Sequence, residues 1–192
     1  MREYKEHFVA FLDILGFKNL IIKEESETIY QIFDEIHSRA KTSMNYNGVQ
    51  IKAYEKIQHR ILSDSVILFI DAEIEDSLTA LIDVCIKLQR SLADRDTPIL
   101  LRGGITKGAL YYENDIVYGE GLTNAYLLES NLAKYPRVIF TGETLEAGKK
   151  VSKYMFPDFE GVFRKFSKDE DALYYLNYLT STGYWTIDRI KE

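Results

Sequence analysis

Residues 7–13, HFVAFLD, put apolar side chains on both rows of an extended segment. Phe8, Ala10 and Leu12 form one row, and Val9 and Phe11 the other until Asp13 ends it. That pattern predicts a strand covered on both faces. In residues 28–42, Ile29, Ile32, Phe33, Ile36 and Ala40 recur at helical spacing. Asn47-Gly48 signals a turn, and the apolar run from residue 60 to 70 predicts a second core strand, so residues 49–70 are expected to form a hairpin. Residues 75–94 carry the stripe Leu78, Leu81, Ile82, Cys85 and Leu88, an amphipathic helix that Asp76 or Ser77 can cap. A strand over 99–112 follows Pro98, then a turn at ENDI, a return strand into VYGEG, a helix over 122–133 and a strand after Pro136. GVFRKF and ALYYLNYL are expected to close the chain as a hairpin, with Trp185 in a short last element.

The first six elements run β-α-β-β-α-β. This predicts an α+β fold with a ferredoxin-like core, its helices packed on an antiparallel sheet. A single domain over 1–192 is expected, with a core at about 7–141 and a C-terminal extension at about 142–192. The other sheet face is apolar too, and a second copy of the chain is the simplest cover for it.

Composition narrows the function classes. The 192 residues are 46% hydrophobic and 28% charged, with 3 Pro, which argues against a disordered chain. A net charge of −6 disfavours a broad nucleic-acid surface but leaves room for a small basic nucleotide pocket. Cys85 is the single cysteine, so a disulfide framework and a Cys-rich zinc site are excluded. His7, His37 and His59 show no ligand spacing. No apolar run approaches the ~18 residues of a membrane span, and the N-terminus lacks a signal-peptide core, so a cytoplasmic protein is expected.

Two acids stand out against this background. Asp13 ends a core strand, and Asp64 interrupts the apolar run RILSDSVILF. A carboxylate in such a setting is costly unless it is paired, hydrogen-bonded or metal-bound. On adjacent strands the two can meet at one end of a sheet, where hard divalent cations take a few carboxylates and complete their shell with phosphate and water. The ILGF turn after Asp13 leads towards a helix, so backbone N–H groups at Gly16 and Phe17, with Lys18, could hold a polyphosphate.

These stretches also carry a family resemblance. FLDILGFKNLI resembles the class III nucleotidyl cyclase motif D-I-x-G-F-x-x-L. LSDSVILF resembles that family's G-D signature with Ser63 in place of Gly. LRGGITKGALYY resembles its R-x-G-I-x-x-G strand, and YGEGLTNAYLLESNLAKYPRVIF the Gly–helix–strand segment after it. The match spans residues 7–141 in order. The resemblance implies a homodimer with sites at its interface, where Asp13, Asp64 and the carbonyl of Ile14 hold two Mg²⁺ or Mn²⁺ ions. The ribose 3′-hydroxyl of a nucleoside triphosphate then attacks the α-phosphate and pyrophosphate leaves. FLDILGF, SDS and LRGGIT resemble in particular the pyrimidine cyclases of bacterial Pycsar anti-phage systems. That implies cyclic UMP or cyclic CMP made as a signal for a separate effector.

The chain also departs from the family. Where the later helix normally carries Asn and Arg, this sequence has Thr123 and Leu127, and Leu cannot stabilise phosphate charge. Arg102, Lys107 and Arg60 are the candidate replacements. The family's two adenine-reading positions, Lys and Asp, fall on Arg60 and Ile116, with Asp115 one step off. Neither purine pair is in register. With bulk from Tyr54 and Arg60, a one-ring base is expected. Two other readings stay open: a cyclase-like nucleotide-binding module without turnover, and a dimeric interaction protein.

Overall fold

A computed structural model of the chain describes residues 3–46, 48–153 and 165–179. Its centre is the strand β1 (Lys5–Ile14), hydrogen-bonded on both sides. Antiparallel partners flank it: β5 (Ser65–Asp71), with β4 (Gln58–Leu62) beyond it, and β6 (Leu101–Glu113) on the other side. The order β4-β5-β1-β6 is the antiparallel arrangement of the split βαβ unit. Helices α1 (Phe17–Lys23) and α2 (Ser26–Ala40) connect β1 to the next strands, and α4 (Ser77–Ala93) connects β5 to β6. The sheet continues past β6 through β8 (Val138–Phe140), parallel to it, then β10 (Tyr174–Leu176) and β9 (Phe166–Lys168). α6 (Gly142–Val151) follows β8 and packs on α4. The closing hairpin is therefore present at 166–176, while residues 161–164 of GVFRKF and Trp185 lie outside the described residues. Among the described residues no helix is long and apolar enough to cross a membrane.

The two rows of β1 sort as their pattern requires. Phe8, Ala10, Leu12 and Ile14 join Val66, Leu68 and Ile70 in the main core under α2 and α4. Val9 joins Ile67, Phe69 and Leu110 in a second cluster on the opposite face. A second copy is not needed to cover that face. It is covered within the chain by α5 (Glu120–Leu132), whose Ala125 lies in the cluster, and by the hairpin of β6 with β7 (Ile116–Tyr118). Tyr112 of that hairpin lies 4.9 Å from Phe69 and 5.5 Å from His7, ring centre to ring centre. The close approach of α5 depends on glycine. A Cβ on Gly104 would come within 2.5 Å of the Ala125 carbonyl oxygen, and one on Gly108 within 2.8 Å of Gly121 Cα.

The expected hairpin over 49–70 is broken in two. β2 (Asn45–Tyr46) and β3 (Val49–Gln50) form a short separate pair. One helical turn, α3 (Ala53–Lys56), then buries Tyr54 before β4 starts. The run 60–70 also turns in the middle, at Ser63 and Asp64, where Ser63 adopts φ 55. Asp76 precedes α4 as expected but does not cap it by its side chain. Its carboxylate instead accepts from Ser152 Oγ at 3.0 Å and the Lys153 N–H at 2.9 Å.

One acid inside the helical layer is fully paired. Buried Asp83 of α4 accepts from the Tyr54 hydroxyl at 2.8 Å and meets Lys87 at 2.8 Å and Lys165 at 2.7 Å. Burial alone would raise the Asp83 pKa, but the two lysines outweigh it and hold the carboxyl below its ordinary value.

At the sheet edge, His37 Nδ1 of α2 and His59 Nε2 of β4 are 2.8 Å apart. Burial, followed by the facing His37, Lys41 and Arg60, lowers the His59 pKa from 6.5 to about 4. The unfolded chain therefore binds an extra proton between those values. The His59 contribution to stability is full above pH 6.5, falls as the pH drops through this window, and is gone below about pH 4. Thermal melts across pH 4–7 should show this acid slope, and His59→Gln should flatten it. An unchanged slope in the variant would assign acid sensitivity to other groups.

Candidate active site

The register of β1 fixes the site. Asp13 sits on the outer row, opposite Ser65 of β5 on one side and Arg102 of β6 on the other. Asp64 lies in the β4–β5 turn, not inside a strand, and its carbonyl accepts the Ile14 N–H at 2.9 Å. That bond pins the turn to the end of β1, so both acids belong to one end of the sheet. The positive φ of Ser63 makes the tight turn possible. It falls at the very position where the resembled family carries glycine.

Arg102 organises this end. Its Nε donates to Asp13 Oδ2 at 3.1 Å and lies 2.6 Å from Glu129 Oε1 of α5. Burial is the main cause that raises the Asp13 pKa; Arg102 opposes it, and Asp64 adds to it. Glu129 behaves alike: burial raises its pKa, Arg102 lowers it, and Asp13 and Asp64 push it up further. Asp13 and Glu129 thus share one guanidinium and Asp64 stands near enough to act on both, so an excess of negative charge remains when all three are ionised.

That excess suits a hard divalent cation. Among the described residues no group of three or more His, Cys, Asp or Glu side chains is arranged to hold a metal. Two carboxylates and the Ile14 carbonyl form a smaller set, suited to an ion that takes its other ligands from phosphate and water. Next to them, Gly16 turns the chain with φ 75 into α1, and a Cβ there would meet open space. The Phe17 side chain is buried against Phe33, and Lys18 is exposed. The N–H groups of Phe17 and Lys18 have no acceptor among the described residues.

The expected base-binding residues are divided. Arg60 and the Ile116 region come together: Arg60 donates to the Asn114 carbonyl, its Nε stands 4.0 Å from Asp115, and Ile116 is exposed beside them. Tyr54 is not brought there. It is buried in the helical layer, where its hydroxyl is committed to Asp83. Thr123 and Leu127 both lie on the solvent side of α5. Thr123 Oγ1 donates to the Gly119 carbonyl at 3.2 Å, at the start of the helix. Lys107 is engaged with Glu6 at 3.2 Å. Glu129 was not expected from the sequence. An acid four residues after Ala125, on the stripe that otherwise carries Gly121, Ala125 and Leu128, was the available signal.

Comparison with solved structures gives this arrangement a context. The guanylyl cyclase domain of a RhoGC fusion protein from the aquatic fungus Blastocladiella emersonii superimposes with a TM-score of 0.65 at 16% identity, covering 92% of this chain and 96% of that one. The fold is that of the nucleotide cyclase domains. The guanylate cyclase domain of RhGC from Catenaria anguillulae, determined with GTP, gives 0.61 at 13% identity, covering 92% and 98%. A class III adenylyl cyclase-like ATP-binding protein from Pseudomonas aeruginosa gives 0.53 at 11% identity, covering 93% of this chain and 40% of that one. No protein-family model matches the chain, and no curated protein matches it by sequence.

Proposed function

We propose that the chain is a metal-dependent nucleotidyl cyclase that converts a nucleoside triphosphate to a 3′,5′-cyclic nucleotide and pyrophosphate. The observation that carries this reading is the meeting of Asp13 and Asp64 at one sheet end, beside Arg102, in a cyclase-type fold. Asp13, Asp64 and the Ile14 carbonyl would hold Mg²⁺ or Mn²⁺, which supplies charge stabilisation to the phosphate undergoing attack. Asp13 is already positioned by its strand register and by Arg102. The turn at Gly16 and the free N–H groups of Phe17 and Lys18 offer donors to the triphosphate. Incubation with each of the four NTPs and Mn²⁺, with mass spectrometry of the products, tests the reading. A cyclic nucleotide is expected; intact NTP in every tube would overturn it.

The working unit in this reading is a homodimer. Its support is the placement of Thr123 and Leu127 on α5. Both are exposed on α5, and in this reading a second copy brings those helix positions to the substrate held at the acids.

The substrate we favour is UTP or CTP. Ile116 offers neither donor nor acceptor to a base edge, and Arg60 is tied to the Asn114 carbonyl. A purine edge left unpaired there is rejected strongly. In competition between equal ATP and UTP or CTP, a pyrimidine product should dominate. Dominant cyclic AMP would remove the pyrimidine preference and leave the cyclase reading standing. The resemblance to Pycsar cyclases supports a role in anti-phage signalling through a separate effector. The second reading, a binding module without turnover, is favoured by Thr123 and Leu127. Nucleotide binding without product would select it.

A further inference from the structure

We infer that Glu129 is a positioning residue that acts through Arg102: it is the alternative seat of the guanidinium, and it draws Arg102 off Asp13 when a cation arrives there. This inference rests on the cyclase reading of the site.

The geometry is one donor between two acceptors. Arg102 Nε carries a single N–H, 3.1 Å from Asp13 Oδ2 and 2.6 Å from Glu129 Oε1. The hydrogen bond goes to Asp13, and Glu129 Oε1, buried and in contact, receives no aligned hydrogen bond. A buried carboxylate oxygen in that state is costly, so the seat is ready to be filled by a small rotation of the guanidinium.

The three groups differ in freedom. The Glu129 side chain is 3% exposed, Asp13 18% and Arg102 32%. Glu129 cannot withdraw, because α5 is pressed against Gly104 through Ala125 and Leu128. The Thr106 hydroxyl, donating to the Gly121 carbonyl at 2.8 Å, fastens the same helix further along. Asp13 is fixed by the central strand. Arg102 is the part that can move. A divalent cation on Asp13 repels the guanidinium and takes its acceptor oxygen, and the nearest buried acceptor is Glu129. Arg102 thus competes with the cation for Asp13, and Glu129 weakens that competition.

The test is Mn²⁺ binding without nucleotide, read as free Mn²⁺ by electron paramagnetic resonance. Wild type, Glu129→Gln, Arg102→Gln and the double variant are compared, with melting curves to verify folding. Arg102→Gln should bind Mn²⁺ more tightly than wild type. Glu129→Gln should bind three- to tenfold more weakly, because Arg102 then stays on Asp13. In the Arg102→Gln background the same change should cost less than twofold, the non-additivity expected of coupled neighbours. Equal losses in both backgrounds, or none in either, overturn the inference alone. Wild type that binds no Mn²⁺ overturns the metal assignment of the cyclase reading and this inference with it. A second measurement needs no variant. The ¹⁵Nε resonance of Arg102 in the wild-type chain should move on adding Mg²⁺ but not on adding Na⁺ at equal ionic strength. A stationary resonance, in protein that binds the ion, rules the exchange out.

Discussion

Asp13→Asn, and separately Asp64→Asn, should abolish nucleotide turnover while leaving the protein folded. Each change is nearly isosteric and removes one negative charge from a cluster in which Asp13, Asp64 and Glu129 act on one another. Folding tolerates this. In Asp13→Asn the guanidinium keeps Glu129 as a partner, and in Asp64→Asn the carbonyl that binds the Ile14 N–H is unchanged. Turnover does not tolerate it. A bound cation supplies several kcal/mol of charge stabilisation to the reacting phosphate. Loss of about 4 kcal/mol lowers the rate about a thousandfold. The measurement is product formation per mole of protein at saturating Mn²⁺, beside a thermal melt. Near wild-type turnover in either variant would remove the metal assignment. Unfolding of both would make the acids structural instead.

Gly104→Ala should cost about 3 kcal/mol, at the upper end of what overpacking a dense interior does. The added methyl would stand 2.5 Å from the Ala125 carbonyl oxygen and 2.9 Å from Leu128 Cβ. The first of these is backbone, so no rotamer change relieves it, and α5 must lift. For a chain of this size, that cost lowers the melting temperature by about 6–12 °C. Lifting α5 also moves Glu129 away from Arg102, so activity should fall further than stability at 25 °C explains. Gly142→Ala is the control: its methyl would meet only Tyr174 Cε2 at 3.7 Å, an ordinary contact, and its melting temperature should stay within about 2 °C of wild type. Equal melting temperatures for the two variants would show that α5 is not held by this contact.

Long periodic segments were readable from the sequence because one physical pattern dominates each. The two-row apolar run of β1, the helical stripe of α4 and the strand of β6 all lie where alternation and 3.6-residue spacing put them. The region 49–70 misled because it contains no Gly or Pro after Gly48. Its two breaks come from the burial of Tyr54 against Asp83 and from Ser63 at positive φ, and neither leaves a strong local signature. The same tertiary pairing keeps Tyr54 from joining Arg60 and Ile116 as the sequence reading expected. The covering of the second sheet face by α5 did leave a trace. Gly104 and Gly108 lie four apart on one side of β6, a sign that another backbone comes close. Of the site, Asp13 and Asp64 stood out as acids in apolar runs. Glu129 did not, because its partner, Arg102, is distant in sequence and only the packing of α5 on the sheet joins them.

The central place of β1 has a consequence for how the chain is made. The strand is synthesised before its hydrogen-bonding partners, which are residues 65–71 and 101–110. At a synthesis rate of about 5–20 residues per second, it must wait about 5–20 s for its second neighbour. Until β5 is made both edges of this apolar strand stand open, and one edge stays open until β6 follows, which is the state most prone to pair with another chain. Growth of the protein at low temperature, or with a chaperone that holds extended apolar segments, is therefore expected to act on Lys5–Ile14 while that strand waits for its partners.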